Sequence, residues 1–321
     1  MIDDPVLVND WHPVARAKDL AEGAVLSVRL LEEDLVLWRN GGQVMAWRDL
    51  CIHRGTRLSL GKVADGLLEC PYHGWRYNNA GACVHIPAHP GQTPPAKARA
   101  QSYLVQEAYE LIWVCLGAPA QAISAFTEWD DATYRKIICG PYPVQASGPR
   151  IVENFLDVVH FPFVHEGILG DRNHPEIEEY EAKIGPNGVE ATGVRIYQPD
   201  PYGTGVGDVV AYTYRALRPL TAYFVKESSQ RFAILLMITP HSAISSTAWM
   251  WMAMNYGHDI PEAELVAYED KIFAQDQPIL ESQRPELLPL DLQAELHLRS
   301  DRTAIAYRTW LKALGMTFGT A

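Results

Sequence analysis

Two short segments of the chain each combine one cysteine with one histidine. The segments are Cys51-x-His53 and Cys70-x-x-His73, and sixteen residues separate them. Each segment supplies a thiolate and an imidazole, so two loops could hold a binuclear iron–sulfur cluster with sulfur ligands on one iron and nitrogen ligands on the other. The same residues could bind zinc, but zinc fingers group their cysteines in one half of the motif and their histidines in the other. The alternating order therefore favours the iron–sulfur cluster.

Glycines accompany both pairs. Arg54-Gly55 follows the first pair and Gly74-Trp75 follows the second, and glycine allows a tight loop to come close to a buried cofactor. Together the segments resemble the Rieske fingerprint, Cys-x-His-Arg-Gly followed by Cys-Pro-x-His-Gly-Trp. This resemblance implies a Rieske [2Fe-2S] cluster bound by the two cysteines and the two histidines. Ile52 stands where the family usually has proline, which affects the stiffness of the loop and not the set of ligands.

A second group of polar residues lies within the largely apolar stretch 153–165. Polar groups buried there need partners, because an unpaired one is costly. In a helix, Asp157 and His160 would share a face, and Pro162 would kink or restart the helix so that His165 turns toward the same point. Two imidazoles bind zinc, copper or iron, and a carboxylate as third ligand would complete the facial triad of non-haem Fe(II). The alternative, a pair of hydrogen-bonded core histidines, is disfavoured by the neighbouring cluster motif.

The third ligand is expected on a later helix. Residues 261–277 predict one, with an apolar stripe at helical spacing that includes Leu265 and Ile272. Asp276 falls on this stripe, and Glu269 lies on nearly the same face. Periodicity therefore leaves both carboxylates open as the third ligand.

The motif Asp157-x-x-His160-x4-His165 resembles the iron-binding motif of Rieske non-haem iron oxygenases. The segment 275–285 is similar to the region that carries the aspartate ligand in demethylase-type members, which implies Asp276 rather than Glu269. The resemblance further implies a terminal oxygenase component with a mononuclear Fe(2+) and O2 as co-substrate. Electrons would come from NAD(P)H through a separate flavin/iron–sulfur reductase, or through a ferredoxin, and enter at the Rieske cluster.

Asp157 has an implied role between the two metal sites. It precedes His160 by three residues and could bond the free ring nitrogen of that ligand. In the family such an aspartate connects the cluster of one subunit with the iron of the next within a ring of three. The resemblance therefore implies a homotrimer in which His73 of one chain meets Asp157 of its neighbour.

The likeness is greatest to the vanillate demethylase, toluenesulfonate methyl-monooxygenase and alkaloid hydroxylase-like group, notably over residues 75–78, 86–90 and 300–312. The expected reaction is hydroxylation or demethylation of an aromatic or alkaloid-like small molecule. Two alternatives remain: a dioxygenase that forms ring cis-diols, and an electron carrier without oxygenase activity. Intact His160, His165 and Asp276 argue against the carrier.

Turn residues between short apolar segments predict an all-β first domain, with a hairpin at Asn40-Gly41-Gly42. Its strands are predicted over 11–15, 24–31, 35–39 and 43–47. We expect a Rieske domain over residues 1–118, a connector over 119–132 and a catalytic domain over 133–321.

Four apolar segments of the catalytic domain predict an antiparallel sheet that packs against the iron-binding helices. They cover residues 209–215, 222–225, 232–238 and 248–254. The fold class is thus predicted to be α+β, with a helix-grip-like second domain. Arg215, Arg218 and Lys226 could meet an acidic or polar group of the substrate, but a solvated surface role is favoured for each.

The overall composition narrows the class of protein. A formal net charge of −12 makes nucleic acid and anionic membranes improbable partners. The sequence shows no signal-peptide pattern and no apolar run of about 18 residues, so a cytoplasmic protein without a membrane anchor is expected. Cys83, Cys115 and Cys139 are expected as buried small hydrophobes and not in disulfides.

Overall fold

The computed structural model describes residues 2–321, which divide into two compact units, residues 2–123 and Ser124–Ala321. The division lies inside the segment 119–132, the predicted connector. The exact domain limits of the sequence analysis stay a prediction.

The first unit is built on two antiparallel sheets. Its elements in chain order are α1 (Pro5–Val8), β1 (His12–Arg16), β2 (Val25–Leu30), β3 (Glu33–Asn40), β4 (Gln43–Arg48), β5 (Lys62–Ala64), β6 (Leu67–Glu69), β7 (Arg76–Tyr77), β8 (Cys83–His85), β9 (Ser102–Ala108) and β10 (Leu111–Cys115). One sheet has the order β1-β10-β9-β4-β3-β2, and the other has the order β5-β6-β7-β8.

The predicted hairpin at residues 40–42 is confirmed. Asn40 pairs with Gln43 at the end of the β3–β4 ladder. Gly41 and Gly42 connect the strands with φ values of 61° and 74°. Two successive residues with positive φ are what a tight hairpin turn of this kind requires, and glycine adopts them without steric penalty.

The core of the first unit joins its two sheets. Trp38 and Trp47 pack edge to face, with ring centroids 5.0 Å apart, and Tyr77 continues the same cluster. Cys51 and Cys70 are buried in this cluster as well. The two cysteines of the predicted metal site are therefore anchored in the hydrophobic core of the unit.

The second unit contains one antiparallel sheet of seven strands in the order β11-β17-β16-β15-β14-β13-β12. Its strands are β11 (Arg135–Val144), β12 (Glu181–Gly185), β13 (Gly188–Gln198), β14 (Asp208–Arg218), β15 (Thr221–Lys226), β16 (Phe232–Ser242) and β17 (Ser245–Met254). Its helices are α2 (Gly148–Phe155), α3 (Phe161–Val164), α4 (Glu262–Ser282) and α5 (Arg302–Leu314). The four predicted strands of this sheet correspond to β14–β17, and the predicted α+β class is confirmed.

Helix α4 differs from its prediction at both ends. Pro261 is the N-cap and not the first helical residue, and the helix continues through Pro278 to Ser282. The predicted end at residue 277 was wrong. Proline inside a helix removes one backbone hydrogen bond, but packing of the buried side chains Phe273 and Leu280 on either side holds the last turn in place. Within the described part of the chain, no helix is long and apolar enough to cross a membrane.

Candidate functional site

The two cluster loops, residues 51–56 and 70–75, are built in the same way. The Cys51 N–H donates to the Thr56 carbonyl at 2.8 Å, and the Cys70 N–H donates to the Trp75 carbonyl at 2.8 Å. In each loop the glycine at position four after the cysteine, Gly55 or Gly74, returns its N–H to the cysteine carbonyl. Both glycines have positive φ, 73° and 68°. The sequence repeat is therefore a structural repeat, which presents two matched loops side by side.

The imidazoles of the two loops meet at the tip of the first unit. The rings of His53 and His73 have centroids 4.5 Å apart, and Trp75 stacks on His53 at 4.5 Å with an angle of 6° between the ring planes. The Nδ1 atom of His53 is buried, and no hydrogen-bond partner for it exists among the described residues. Because such an atom is costly when unsatisfied, it fits a site in which a metal takes the place of the missing partner.

A tyrosine without a predicted role contacts this site. The Tyr77 hydroxyl lies 3.1 Å from the Cys51 Sγ atom. Burial, together with the hydrogen bond to Cys51, raises the pKa of Tyr77 well above its ordinary value, so the hydroxyl keeps its proton and donates to a Cys51 thiolate. Hydrogen bonds to cluster sulfurs are one determinant of the reduction potential of iron–sulfur proteins. The only local signal is that side chains alternate along β7, which turns the Tyr77 side chain toward the core.

In the second unit, three predicted residues meet. The ligand atoms of His160, His165 and Asp276 all lie within 4.8 Å of one another. The Nε2 atoms of His160 and His165 lie 3.4 Å and 3.2 Å from the Asp276 Oδ1 atom. We call these three residues the triad. Two histidines and one carboxylate on one side of a metal leave further coordination positions open.

The outer ring nitrogens of the two histidines are held by other side chains. The His160 Nδ1 atom lies 2.9 Å from the Asp157 Oδ2 atom, and the His165 Nδ1 atom lies 2.9 Å from the Gln275 Oε1 atom. This pattern is typical of metal-binding histidines, in which the bond at one nitrogen orients the other toward the metal. Gln275 was missed as a functional residue, since nothing in its spacing separates it from a surface glutamine.

The backbone around these residues differs from the predicted helix. Helix α2 ends at Phe155, so Asp157 and His160 lie in the connection before α3 and not on a helical face. Asp157 instead caps a turn, since its Oδ1 atom accepts the Val159 N–H at 2.9 Å. The prediction that Pro162 restarts the helix is confirmed: it lies in the first turn of α3, between the two histidines. The pairing of Asp157 with His160 thus arises from a turn.

The electrostatics of the triad favour a cation. Burial alone would lower the pKa of His165, but the hydrogen bond and the charge of Asp276 outweigh burial and raise that pKa. The site therefore favours a positive charge next to this carboxylate, and a divalent metal ion supplies one. Glu269, the other carboxylate that the sequence left open, lies on the same helix but outside the group of three.

The triad lies in the wall of a cavity of about 420 Å³. The cavity is mainly apolar, and Met250, Met252 and Met254 line it from alternate positions of β17, as expected for one face of a strand. Aromatic side chains from β14 and β15, including Tyr214 and Phe224, form another part of the lining. A volume of this size suits a small organic molecule.

Lys226 also lines this cavity, contrary to the prediction of a surface role. Its side chain is buried, its Nζ atom donates to the Pro201 carbonyl at 2.6 Å, and it lies 4.3 Å from the ring centroid of Tyr202. Burial lowers the pKa of Lys226 to about 8. Arg215, by contrast, is exposed and paired with Glu190, as expected.

Comparison with known proteins agrees with both sites. Residues 10–103 match the Rieske [2Fe-2S] domain, and residues 144–316 match the vanillate O-demethylase oxygenase C-terminal domain. The chain is 32% identical to methylxanthine N1-demethylase NdmA of Pseudomonas putida over 95% of this chain and 88% of the relative. It is 30% identical to methylxanthine N3-demethylase NdmB of the same organism, over 98% and 91% of the two chains. The structure of Pseudomonas putida NdmA with caffeine superposes with a TM-score of 0.84 at 31% identity, covering 96% of this chain and 90% of that one.

These matches span both units and define a class of protein: oxygenases with a Rieske domain ahead of a non-haem iron domain. The chain belongs to the Rieske non-haem iron oxygenases, in the group with the vanillate O-demethylase-type C-terminal domain. It is accordingly the terminal oxygenase component of a monooxygenase, with a [2Fe-2S] cluster, a mononuclear iron and O2 as co-substrate, and a separate reductase supplies its electrons.

Proposed function

We propose that this oxygenase removes methyl groups from, or hydroxylates, small N-methylated heteroaromatic or alkaloid-like compounds. The observation that carries the proposal is the position of the triad in the wall of an apolar, aromatic-lined cavity of about 420 Å³. Such a cavity holds a planar molecule by apolar contacts and exposes one edge of it to the triad. The relatives named as methylxanthine demethylases support this substrate class.

In this proposal the four residues of the cluster loops hold the [2Fe-2S] cluster. Cys51 and Cys70, both 2% exposed, would bind one iron as thiolates, and His53 and His73 would bind the other. The matched loops and the orphaned Nδ1 atom of His53 support this assignment.

The triad would bind the mononuclear iron, with Asp276 as its carboxylate ligand in preference to Glu269. An iron(II) ion bound there supplies activation of dioxygen at its open positions. The surrounding chain binds the substrate, excludes bulk water and orients the ligands: Asp157 and Gln275 fix the histidine rings, and the Asn154 amide lies 3.5 Å from the Asp276 Oδ1 atom. For N-demethylation, one oxygen atom enters a methyl C–H bond and the other leaves as water with two electrons and two protons, after which formaldehyde is released.

We further propose a homotrimer in which Asp157 passes electrons between subunits. The cluster loops support such an interface, because His73 is exposed and the residues that precede His53 and His73, Ile52 and Tyr72, are exposed as well, 50% and 62% accessible. Exposed apolar residues around a redox site commonly mark a docking surface. A cytoplasmic location belongs to the same proposal. It is supported by the finding that no disulfide joins any of the five cysteines, all of which lie among the described residues.

Turnover with a panel of substrates tests this function. The purified oxygenase, a flavin/iron–sulfur reductase and NADH would be incubated with methoxybenzoates, toluenesulfonate, and N-methylated xanthines. We expect formaldehyde in step with NADH oxidation for N-methyl compounds. Products that are cis-diols would assign the chain to the dioxygenases instead, and NADH oxidation without any organic product across the panel would contradict the proposed substrate class.

A further inference from the structure

One acidic residue in the wall of the cavity has no hydrogen-bond or ion-pair partner among the described residues. The other charged residues of the lining are all engaged: the Asp200 Oδ1 atom accepts two backbone N–H groups, Lys226 donates to a carbonyl, and Asp276 belongs to the triad. For Glu269 no hydrogen bond or ion pair exists within residues 2–321. Its side chain lines the cavity and the residue is 5% exposed.

An isolated buried carboxylate is unfavourable. Burial, reinforced by the negative charge of Asp276, raises the pKa of Glu269 to about 7. A hydrogen-bond donor brought into the cavity would relieve this penalty, and charge-assisted hydrogen bonds are about twice as strong as neutral ones. Glu269 therefore needs a hydrogen-bond donor, and a molecule bound in the cavity would supply it.

The position of Glu269 sets where that donor lies. Glu269 precedes Asp276 by seven residues on helix α4, which places the two residues on nearly the same face, with their Cα atoms about 10 Å apart along the helix axis. A planar molecule that spans this distance has one end at the triad and the other end at Glu269. The methionines of β17 and the aromatic side chains of β14 and β15 would cover its faces.

We propose that Glu269 is a substrate-binding residue that accepts hydrogen bonds from an N–H edge of a planar substrate whose opposite edge faces the triad. This inference rests on the proposed function and adds the recognition group that the substrate carries. Two kinds of molecule present such an edge: an amidinium or guanidinium cation, whose two N–H groups match the two carboxylate oxygens, and a neutral nitrogen heterocycle with a ring N–H. The shared chemistry is the N–H donor.

Calorimetry at pH 8 in the absence of oxygen measures binding to the iron-loaded oxygenase. It distinguishes a cationic ligand from a neutral heterocycle with a ring N–H. Theobromine and caffeine form a matched pair, since they share one ring system and differ in a ring N–H that is methylated in caffeine; benzamidine is the cationic probe. We expect theobromine, benzamidine or both to bind at least about tenfold more tightly than caffeine, the ratio that one hydrogen bond to a charged group gives.

Variants of Glu269 complete the test. Glu269→Leu should reduce the preference for the N–H probes to less than about twofold, whereas Glu269→Gln, which keeps a carbonyl acceptor but removes the charge, should weaken benzamidine about tenfold and theobromine much less. Glu264→Gln, an exposed carboxylate on the same helix, is the matched control and should change nothing.

The inference is overturned if wild-type protein binds caffeine as tightly as both N–H probes, or if Glu269→Leu retains their preference. Loss of the mononuclear iron in Glu269→Leu would also overturn it, because Glu269 would then be a metal ligand. Failure of the proposed function is a separate result: turnover of the substrate panel could be absent while the N–H preference holds, and the reverse could also occur.

Discussion

The two proposed iron sites combine similar types of side chain but are constructed differently. The cluster residues lie within residues 51–73, on two loops whose hydrogen bonds are closed inside each loop. The triad combines His160 and His165 from one connection with Asp276 from a helix more than a hundred residues later. The geometry of the first site is determined by its own short segments, whereas the geometry of the second depends on the fold of the whole unit.

This difference matches what each site has to do. In a Rieske cluster, sulfur or nitrogen fills every coordination position of the irons. Such a cluster can only carry electrons, and a rigid local frame is sufficient for that task. A metal held by the triad would have open positions toward a cavity of about 420 Å³, so the two histidines need support from outside the site, which Asp157 and Gln275 provide. Substitutions in the second site should therefore act over a longer range than those in the first.

Asp276→Ala should have the largest effect on turnover, and it should affect the second site without affecting the first. Removing the carboxylate leaves two histidine ligands, so we expect the mononuclear iron to be lost and turnover to fall by more than about 100-fold. The visible spectrum of the cluster should be unchanged. Glu264→Ala, which changes an exposed residue of the same helix, is the control. Loss of the cluster spectrum in Asp276→Ala would show that the sites do not form independently.

Asp157→Asn tests the connection between the sites. Both metals should remain bound, because Asp157 contacts the outer nitrogen of His160 and the Val159 N–H, and neither of these atoms is a metal ligand. Turnover should fall by about 100-fold, at the upper end of the effects of outer-shell partners. Stopped-flow spectroscopy of the reduced protein with substrate and oxygen would follow cluster oxidation, which should slow by a similar factor. Near-normal oxidation would rule out Asp157 as the bridge.

Gln275→Leu should have a smaller effect on the triad alone. Without the acceptor at its Nδ1 atom, His165 loses its fixed orientation, and iron affinity should fall about tenfold. Gln275→Glu keeps an acceptor oxygen and should restore most of the affinity. Iron retention during dialysis against a chelator measures both variants, and equal retention in Gln275→Leu and wild type would contradict this role.

The sequence predicted more of the first site than of the second. The two cluster loops could be predicted from short segments, because their cysteine–histidine spacing and their closing hydrogen bonds are both local; their ligand assignment stays a prediction. Pro162 indicated the break between the two histidines, but the end of α2 at Phe155 follows from packing in the second unit, which no short segment encodes. The burial of Lys226 in the cavity wall, and the contact of Gln275 with His165, join segments far apart in the chain and had no local signal.

Tyr77→Phe should have the smallest effect and should touch only the first site. Loss of the hydrogen bond to Cys51 removes stabilisation from the reduced, more negative cluster, so its reduction potential should fall by about 40 mV, the equivalent of roughly 1 kcal/mol for a one-electron couple. Tyr103→Phe, whose hydroxyl bonds Gln101 instead, is the matched control. Redox titration of the cluster spectrum measures the shift, and equal potentials in all three proteins would contradict the assignment.

The central claim is that one chain holds both a binuclear cluster and a separate mononuclear iron. Elemental analysis of the purified protein, with acid-labile sulfide measured on the same sample, tests it most directly. We predict three iron atoms and two sulfides per chain, and two irons with two sulfides in Asp276→Ala. Two irons and two sulfides in an iron-reconstituted wild-type protein would contradict the account, because the triad would then be no iron site.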